Sequence, residues 1–251
     1  MQFMAFKTSP QRADHAPAPD SHWALFLDID GTLLDIAATP EAVHVPGTLT
    51  RTLLQASTWL GGALAVVSGR PFAQIDKLLS PLRLPGGGAH GARIRMPNGT
   101  VEAASDALAV PGAWRTLLNN AVQMWPGVIV EDKHHCVAVH YRTAPERKDD
   151  VEDLVTRLAA QDKENFEALP ARMAFEIRNR ALTKAVVVRS LMRHAPFKGR
   201  IPVFVGDDVT DHDGFRAAEE KGGIALDVGT AFGGQPAAVR EWLEHFRDEG
   251  D

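Results

Sequence analysis

The chain has 251 residues, 45% of them hydrophobic, which is enough to bury one large core or two smaller ones in a soluble globular protein. A formal net charge of -5 excludes a general basic footprint for nucleic acid or an anionic membrane, so an anionic substrate has to be drawn in by local groups. The single cysteine, Cys136, excludes an intrachain disulfide and a cysteine-built metal cluster, and beside Val137, Ala138 and Val139 it reads as a small packing residue on a strand. No apolar stretch approaches the ~20 residues of a membrane span. Residues 1–21, rich in Pro, Ala and polar groups, lack the hydrophobic segment of a secretory signal. They read as a flexible leader, and the cytoplasm as the compartment.

The patterned part of the chain begins at Trp23. Ala24-Leu25-Phe26-Leu27 is a continuous apolar run that stops abruptly at Asp28. The same shape returns in Ala63 to Val67 before Ser68-Gly69-Arg70, and in Ile201 to Val205 before Gly206-Asp207-Asp208. Such runs, interleaved with helical patterns such as Leu49 to Leu54, predict buried parallel strands of an α/β sheet. The carboxyl ends of such strands share one edge, where ligands bind, and three polar strand ends there would converge on one pocket.

Residues 108–178 read differently. Helical spacing over Pro111–Trp125 and Ala144–Leu158 alternates with strand pairs at Val128–Lys133 and Cys136–Tyr141, then at Phe166–Leu169 and Met173–Ile177. This α-β-β-α-β-β series predicts a small α+β domain, 108–178, inserted into a core made of 22–107 and 179–251. A helix over Leu182–His194, a strand at Ile224–Val228 and a helix over Pro236–Phe246 complete the core.

Asp28 and Asp30 carry the first chemical signal. Two carboxylates separated by one residue, at a strand end where Gly31 lets the backbone bend, can reach one site. Carboxylates suit magnesium, and a carboxylate can attack phosphorus to give an acyl phosphate while a second acid protonates the leaving alcohol. A helix cap followed by an Asp-Gly turn is the plainer reading of the same residues.

The full stretch Asp28-Ile29-Asp30-Gly31-Thr32-Leu33 after an apolar strand resembles the haloacid-dehalogenase superfamily. Its companions follow in order: Ser68, Lys184, and Gly206-Asp207-Asp208-Val209-Thr210-Asp211. The resemblance implies a Rossmann-like core with a mostly parallel sheet, Asp28 as nucleophile and Asp30 as general acid/base. It also implies Ser68 and Lys184 as catalytic groups around the phosphoryl oxygens. Magnesium would sit at Asp28, Asp207 and Asp30, the last through its main-chain carbonyl, with Asp208 and Asp211 either outer ligands or partners of Lys184. Ser68, Gly69 and Arg70 would bind the substrate at its phosphate, with Arg70 bracing the phosphate loop or the cap.

Further segments are similar to the trehalose-6-phosphate phosphatase family: Gly88-Ala89-His90-Gly91-Ala92, Glu131-Asp132-Lys133, His140-Tyr141-Arg142 and Phe175-Glu176-Ile177-Arg178. That resemblance implies an α+β cap whose Glu131, Lys133 and Glu176 bind sugar hydroxyls. It implies trehalose 6-phosphate as substrate, supplied by a separate synthase, with another sugar phosphate such as sucrose 6-phosphate as the alternative. A sugar-phosphate-binding regulator without turnover is the alternative of another class. His90 reads as a polar core residue or a site residue. The chain departs from the family at Ala185, at Asn179-Arg180 and at His212.

Overall fold

The structure is a computed structural model that describes residues 15–37, 42–104, 108–132, 135–171 and 173–247. The chain divides into two units, residues 1–103 with 183–251 and, inserted between them in sequence, residues 104–182.

The first unit is built on a seven-stranded sheet. Its strands are β1 (Trp23–Leu27), β2 (Leu64–Val67), β3 (Gly86–Gly88), β4 (Arg93–Arg95), β5 (Val101–Ala103), β10 (Ile201–Gly206) and β11 (Ile224–Asp227), in the spatial order β11-β10-β1-β2-β3-β4-β5. The first five in that order run parallel, and β4 and β5 close the edge as an antiparallel pair. The central strands are apolar along their whole length because helices cover the sheet. These helices are α1 (Leu49–Trp59), α2 (Phe72–Leu78), α5 (Lys184–Leu191), α6 (His212–Glu219), α7 (Val228–Ala231) and α8 (Pro236–Leu243). The core gathers Leu25, Phe26, Leu64, Val66, Val187, Phe197, Phe204 and Phe215.

Residues 15–21, expected to be a flexible leader, are in contact with the core: the Trp242 indole N–H donates to the Pro17 carbonyl at 2.8 Å, and Arg200 donates to that of Ser21 at 2.6 Å. Residues 1–14 lie outside the described ones. The strand β3 was not expected either. Three glycines carry no strand preference, and Gly86–Gly88 becomes a strand only because β2 on one side and β4 on the other supply its partners.

The second unit is a four-stranded antiparallel sheet backed by two helices. Its elements are α3 (Gly112–Gln123), β6 (Ile129–Asp132), β7 (Cys136–His140), α4 (Lys148–Ala159), β8 (Phe166–Ala171) and β9 (Ala174–Asn179), with strand order β6-β7-β9-β8. One face of the sheet presents Val137, Val139, Phe175 and Ile177 to Trp114, Leu118, Val151, Val155 and Leu158 of the helices. No helix among the described residues is long and apolar enough to cross a membrane.

Candidate active site

The parallel strands deliver their terminal side chains to one edge of the sheet. The Asp28 amide donates to the Val205 carbonyl at 3.0 Å, continuing the β1–β10 ladder by one residue, and the Ser68 amide donates to Gly87 at 2.9 Å. Asp207 follows the last residue of β10. After Asp30 the chain turns tightly, with the Gly31 amide donating to the Leu34 carbonyl at 2.7 Å. Gly31 has φ +85°, and a Cβ there would run into the Asp207 carboxylate, so glycine is required twice over.

Lys184 stands at the centre. Its ammonium donates to Asp28 Oδ1 at 2.7 Å and to Asp211 Oδ1 at 2.6 Å. Asp28, Lys184 and Asp211 are all buried, at 4%, 2% and 0% exposure, so these bonds form with little competition from water. The other Asp211 oxygen accepts from the amides of Asp207 (3.2 Å) and Asp208 (3.1 Å), while Asp208 caps the turn through the Thr210 amide at 2.7 Å. Asp211 is therefore committed to the lysine and the loop backbone, a role sequence had left open.

One lysine facing several acids settles their titration. Burial pushes Asp28 up to about 7, against the pull of Lys184 and with help from Asp207 and Asp208. Burial likewise raises Asp207 to about 6 and Asp211 to about 8. For Lys184 burial disfavours the charge, but Asp211, Asp28 and Asp208 together outweigh it and hold the ammonium charged. Asp208 is lowered: Lys184 and the Thr210 hydroxyl and amide overcome its burial.

The surplus of negative charge is a place for a cation. Asp28, Asp207 and Asp211 each offer an oxygen within 4.8 Å of the others. An all-carboxylate donor set suits a hard divalent ion. Because folding holds protons on Asp28, Asp207 and Asp211 that the unfolded chain, with carboxyls near 3.8, has released, stability without a cation falls as pH rises through roughly 4 to 8. Magnesium is therefore expected to raise the melting temperature more at about pH 8 than at about pH 5. Thermal melts with chelator or magnesium at both pH values check this, and an equal gain at both would count against it.

Asp30 is placed apart from that cluster. Both of its carboxylate oxygens are clasped by Arg70, from Nε and Nη2, each at 2.6 Å. The carboxylate is thus not one of the three clustered ones, and Arg70, expected at the phosphate loop or the substrate, holds a neighbouring acid. Ser68 is 1% exposed, and its Oγ accepts from the Arg70 amide at 3.1 Å, which leaves its hydroxyl proton to donate elsewhere.

In the second unit, register puts Glu131 opposite Ala138 and Ala138 opposite Glu176. The two glutamates therefore share the face away from α3 and α4, roughly 10 Å apart, with the small Ala138 between them. His140 Nε2 lies 3.0 Å from Glu131 Oε2. Lys133 and His134 lie outside the described residues.

This core shares the fold of the haloacid-dehalogenase-like hydrolases: one from B. subtilis superposes with a TM-score of 0.60 at 15% identity, covering 89% of this chain and 92% of that one. The C-terminal domain of C. albicans trehalose-6-phosphate phosphatase superposes with a TM-score of 0.71 at 18% identity, covering 92% and 98%. A family model described as trehalose-phosphatase matches residues 26–242. A probable trehalose-phosphate phosphatase of Sinorhizobium fredii is 41% identical over 208 residues, 83% of this chain and 78% of the relative. Trehalose-6-phosphate phosphatase of Escherichia coli is 35% identical over 214 residues, 85% and 80% of the two. The chain belongs to the trehalose-phosphatase family.

Proposed function

We propose that this protein hydrolyses trehalose 6-phosphate to trehalose and phosphate through an aspartyl-phosphate on Asp28, with magnesium as its cation. The observation that carries the chemistry is the buried Lys184 bridging Asp28 and Asp211 at the strand ends. It fixes one Asp28 oxygen and leaves Oδ2 to attack phosphorus. As that bond forms, the bond from phosphorus to the sugar O6 breaks, and Asp30 gives O6 a proton so that trehalose leaves as a neutral alcohol. Asp30 then takes a proton from water, the resulting hydroxide adds to phosphorus, and the bond to Asp28 breaks. Lys184 and the Ser68 hydroxyl offset phosphoryl charge throughout. Magnesium, held by Asp28 and Asp207, would neutralise further phosphoryl charge, since Asp211 is already committed to Lys184 and two amides.

The clasp of Arg70 on Asp30 suits the ionised form that takes a proton from water, and one oxygen has to leave the fork for the carboxyl to carry a proton to O6. Arg70→Lys keeps the charge but not the fork, so kcat is expected to fall about tenfold. Steady-state kinetics check this, and an unchanged kcat would remove Arg70 from the mechanism.

Glu131, Glu176 and Lys133 are the sugar-selecting groups in this reading. Hydroxyls taken from water need such partners, and the shared sheet face supports the assignment. The purified protein with magnesium is expected to release phosphate from trehalose 6-phosphate far faster than from glucose 6-phosphate or sucrose 6-phosphate. Glu131→Ala and Glu176→Ala are expected to remove that preference while sparing a small generic phosphate ester. Equal wild-type rates on all three sugars would sink the substrate and leave the chemistry standing. The reaction is assigned to the cytoplasm, where a lone buried cysteine, Cys136, needs no oxidising environment, and its substrate to a separate synthase.

A further inference from the structure

We propose that the turn Gly88–Gly91 is a positioning element for the phosphate loop and that His90, at its apex, is a positioning residue of the reaction. The inference rests on the phosphatase reading above. Ala89 and His90 both have left-handed backbones, at φ +51° and +56°, followed by Gly91 at +93°. Two consecutive non-glycine residues in that region are strained, and such strain persists only where the surroundings impose it, typically at functional sites.

The turn faces the loop that carries Ser68. The Ala89 amide donates to the Arg70 carbonyl at 2.9 Å, and the His90 amide donates to the Ser68 carbonyl at 3.2 Å. These two bonds hold both ends of Ser68-Gly69-Arg70. The imidazole covers the middle: a Cβ built on Gly69 would lie 2.6 Å from both Cε1 and Nε2 of His90. Glycine at 69 thus admits the ring against the backbone, and the ring in turn limits how that backbone can move.

The same turn reaches the lysine. A Cβ on Gly91 would lie 2.7 Å from the Thr183 carbonyl, at the start of the helix whose first residue is Lys184. A Cβ on Gly87 would strike the side chain of Val187, one turn further along that helix. The strained turn is therefore wedged between the loop that places Ser68 and Arg70 and the helix that places Lys184. Through Arg70 it also fixes Asp30. A conformation that local preference opposes is held there because it sets the spacing of groups on either side of the phosphoryl group.

Two variants test this. His90→Asn keeps a side chain that tolerates the left-handed backbone but removes the ring, and Ala89→Gly relieves the strain but frees the backbone to leave the left-handed region. Both are expected to melt no more than about 3 °C below the wild type, and Ala89→Gly no lower than it, while kcat falls about tenfold to a hundredfold. The loss should be the same on trehalose 6-phosphate and on p-nitrophenyl phosphate, because the loop handles the phosphoryl group whatever it is attached to. Wild-type kcat in both variants would overturn the proposal, as would a loss confined to the sugar substrate or a melting temperature that collapses while the kcat of the folded fraction holds. A wild-type protein that hydrolyses neither substrate would instead overturn the phosphatase reading.

Discussion

Asp28→Asn is expected to lower phosphatase turnover by about four orders of magnitude or more while leaving the fold intact. The reason for the first half is that the amide cannot take the place of the carboxylate oxygen that attacks phosphorus. The second half follows from the surroundings. Lys184 would keep its bond to Asp211, so no charge is orphaned, and the Asp28 carboxylate is itself disfavoured by burial and by Asp207 and Asp208. Removing that charge relieves repulsion, and the melting temperature without a cation should hold or rise. Reductive trapping of the wild-type enzyme during turnover with borohydride should convert residue 28 to homoserine, seen by peptide mass spectrometry. An Asp28→Asn protein with normal turnover, or trapping at another residue, would overturn the covalent step.

Lys184→Met should damage both stability and turnover. The ammonium is the one cation hydrogen-bonded to Asp28 and Asp211 among the described residues, and all three groups are buried. Leaving buried carboxylates without it costs about 3–5 kcal/mol, which for a protein of this size lowers the melting temperature by roughly 10 °C. The penalty has a pH sign. Asp28 and Asp211 can take up protons in place of their partner, so the loss should shrink as pH falls through about 8 to 7, where desolvation already favours the neutral form. Lys184→Arg is not expected to rescue it, because a planar guanidinium cannot stand where a compact ammonium meets two acceptors at 2.7 and 2.6 Å. Thermal melts in chelator across pH are the check. A Lys184→Met protein that melts with the wild type even at about pH 9 would show that the lysine does not balance the charge of the buried acids.

The second unit and the sheet core were legible for different reasons. In the core, strands buried on both faces read as short apolar runs ending in Asp28, Ser68 and Asp207, and in the inserted unit Val128–Lys133 and Cys136–Tyr141 read as a strand pair around His134-His135. What escaped was whatever takes its conformation from its neighbours. Gly86–Gly88 shows no strand signal, and only the ladders from Val66 and Arg95 make it one. Residues 15–21 carry a loop-like composition, yet Pro17 and Ser21 are held by Trp242 and Arg200, more than 170 positions away.

The acids and their order could be read along the chain, because a motif of closely spaced side chains at a strand end is local information. The sequence by itself could not divide the work among them, since that depends on which side chains meet after residues far apart in the chain are packed together. Folding gave Lys184 to Asp28 and Asp211 at once, turned the Asp30 carboxylate to Arg70 and laid His90 over Gly69. Each of those assignments is a question of distance and desolvation, and both exist only once the sheet has brought its strand ends to one edge.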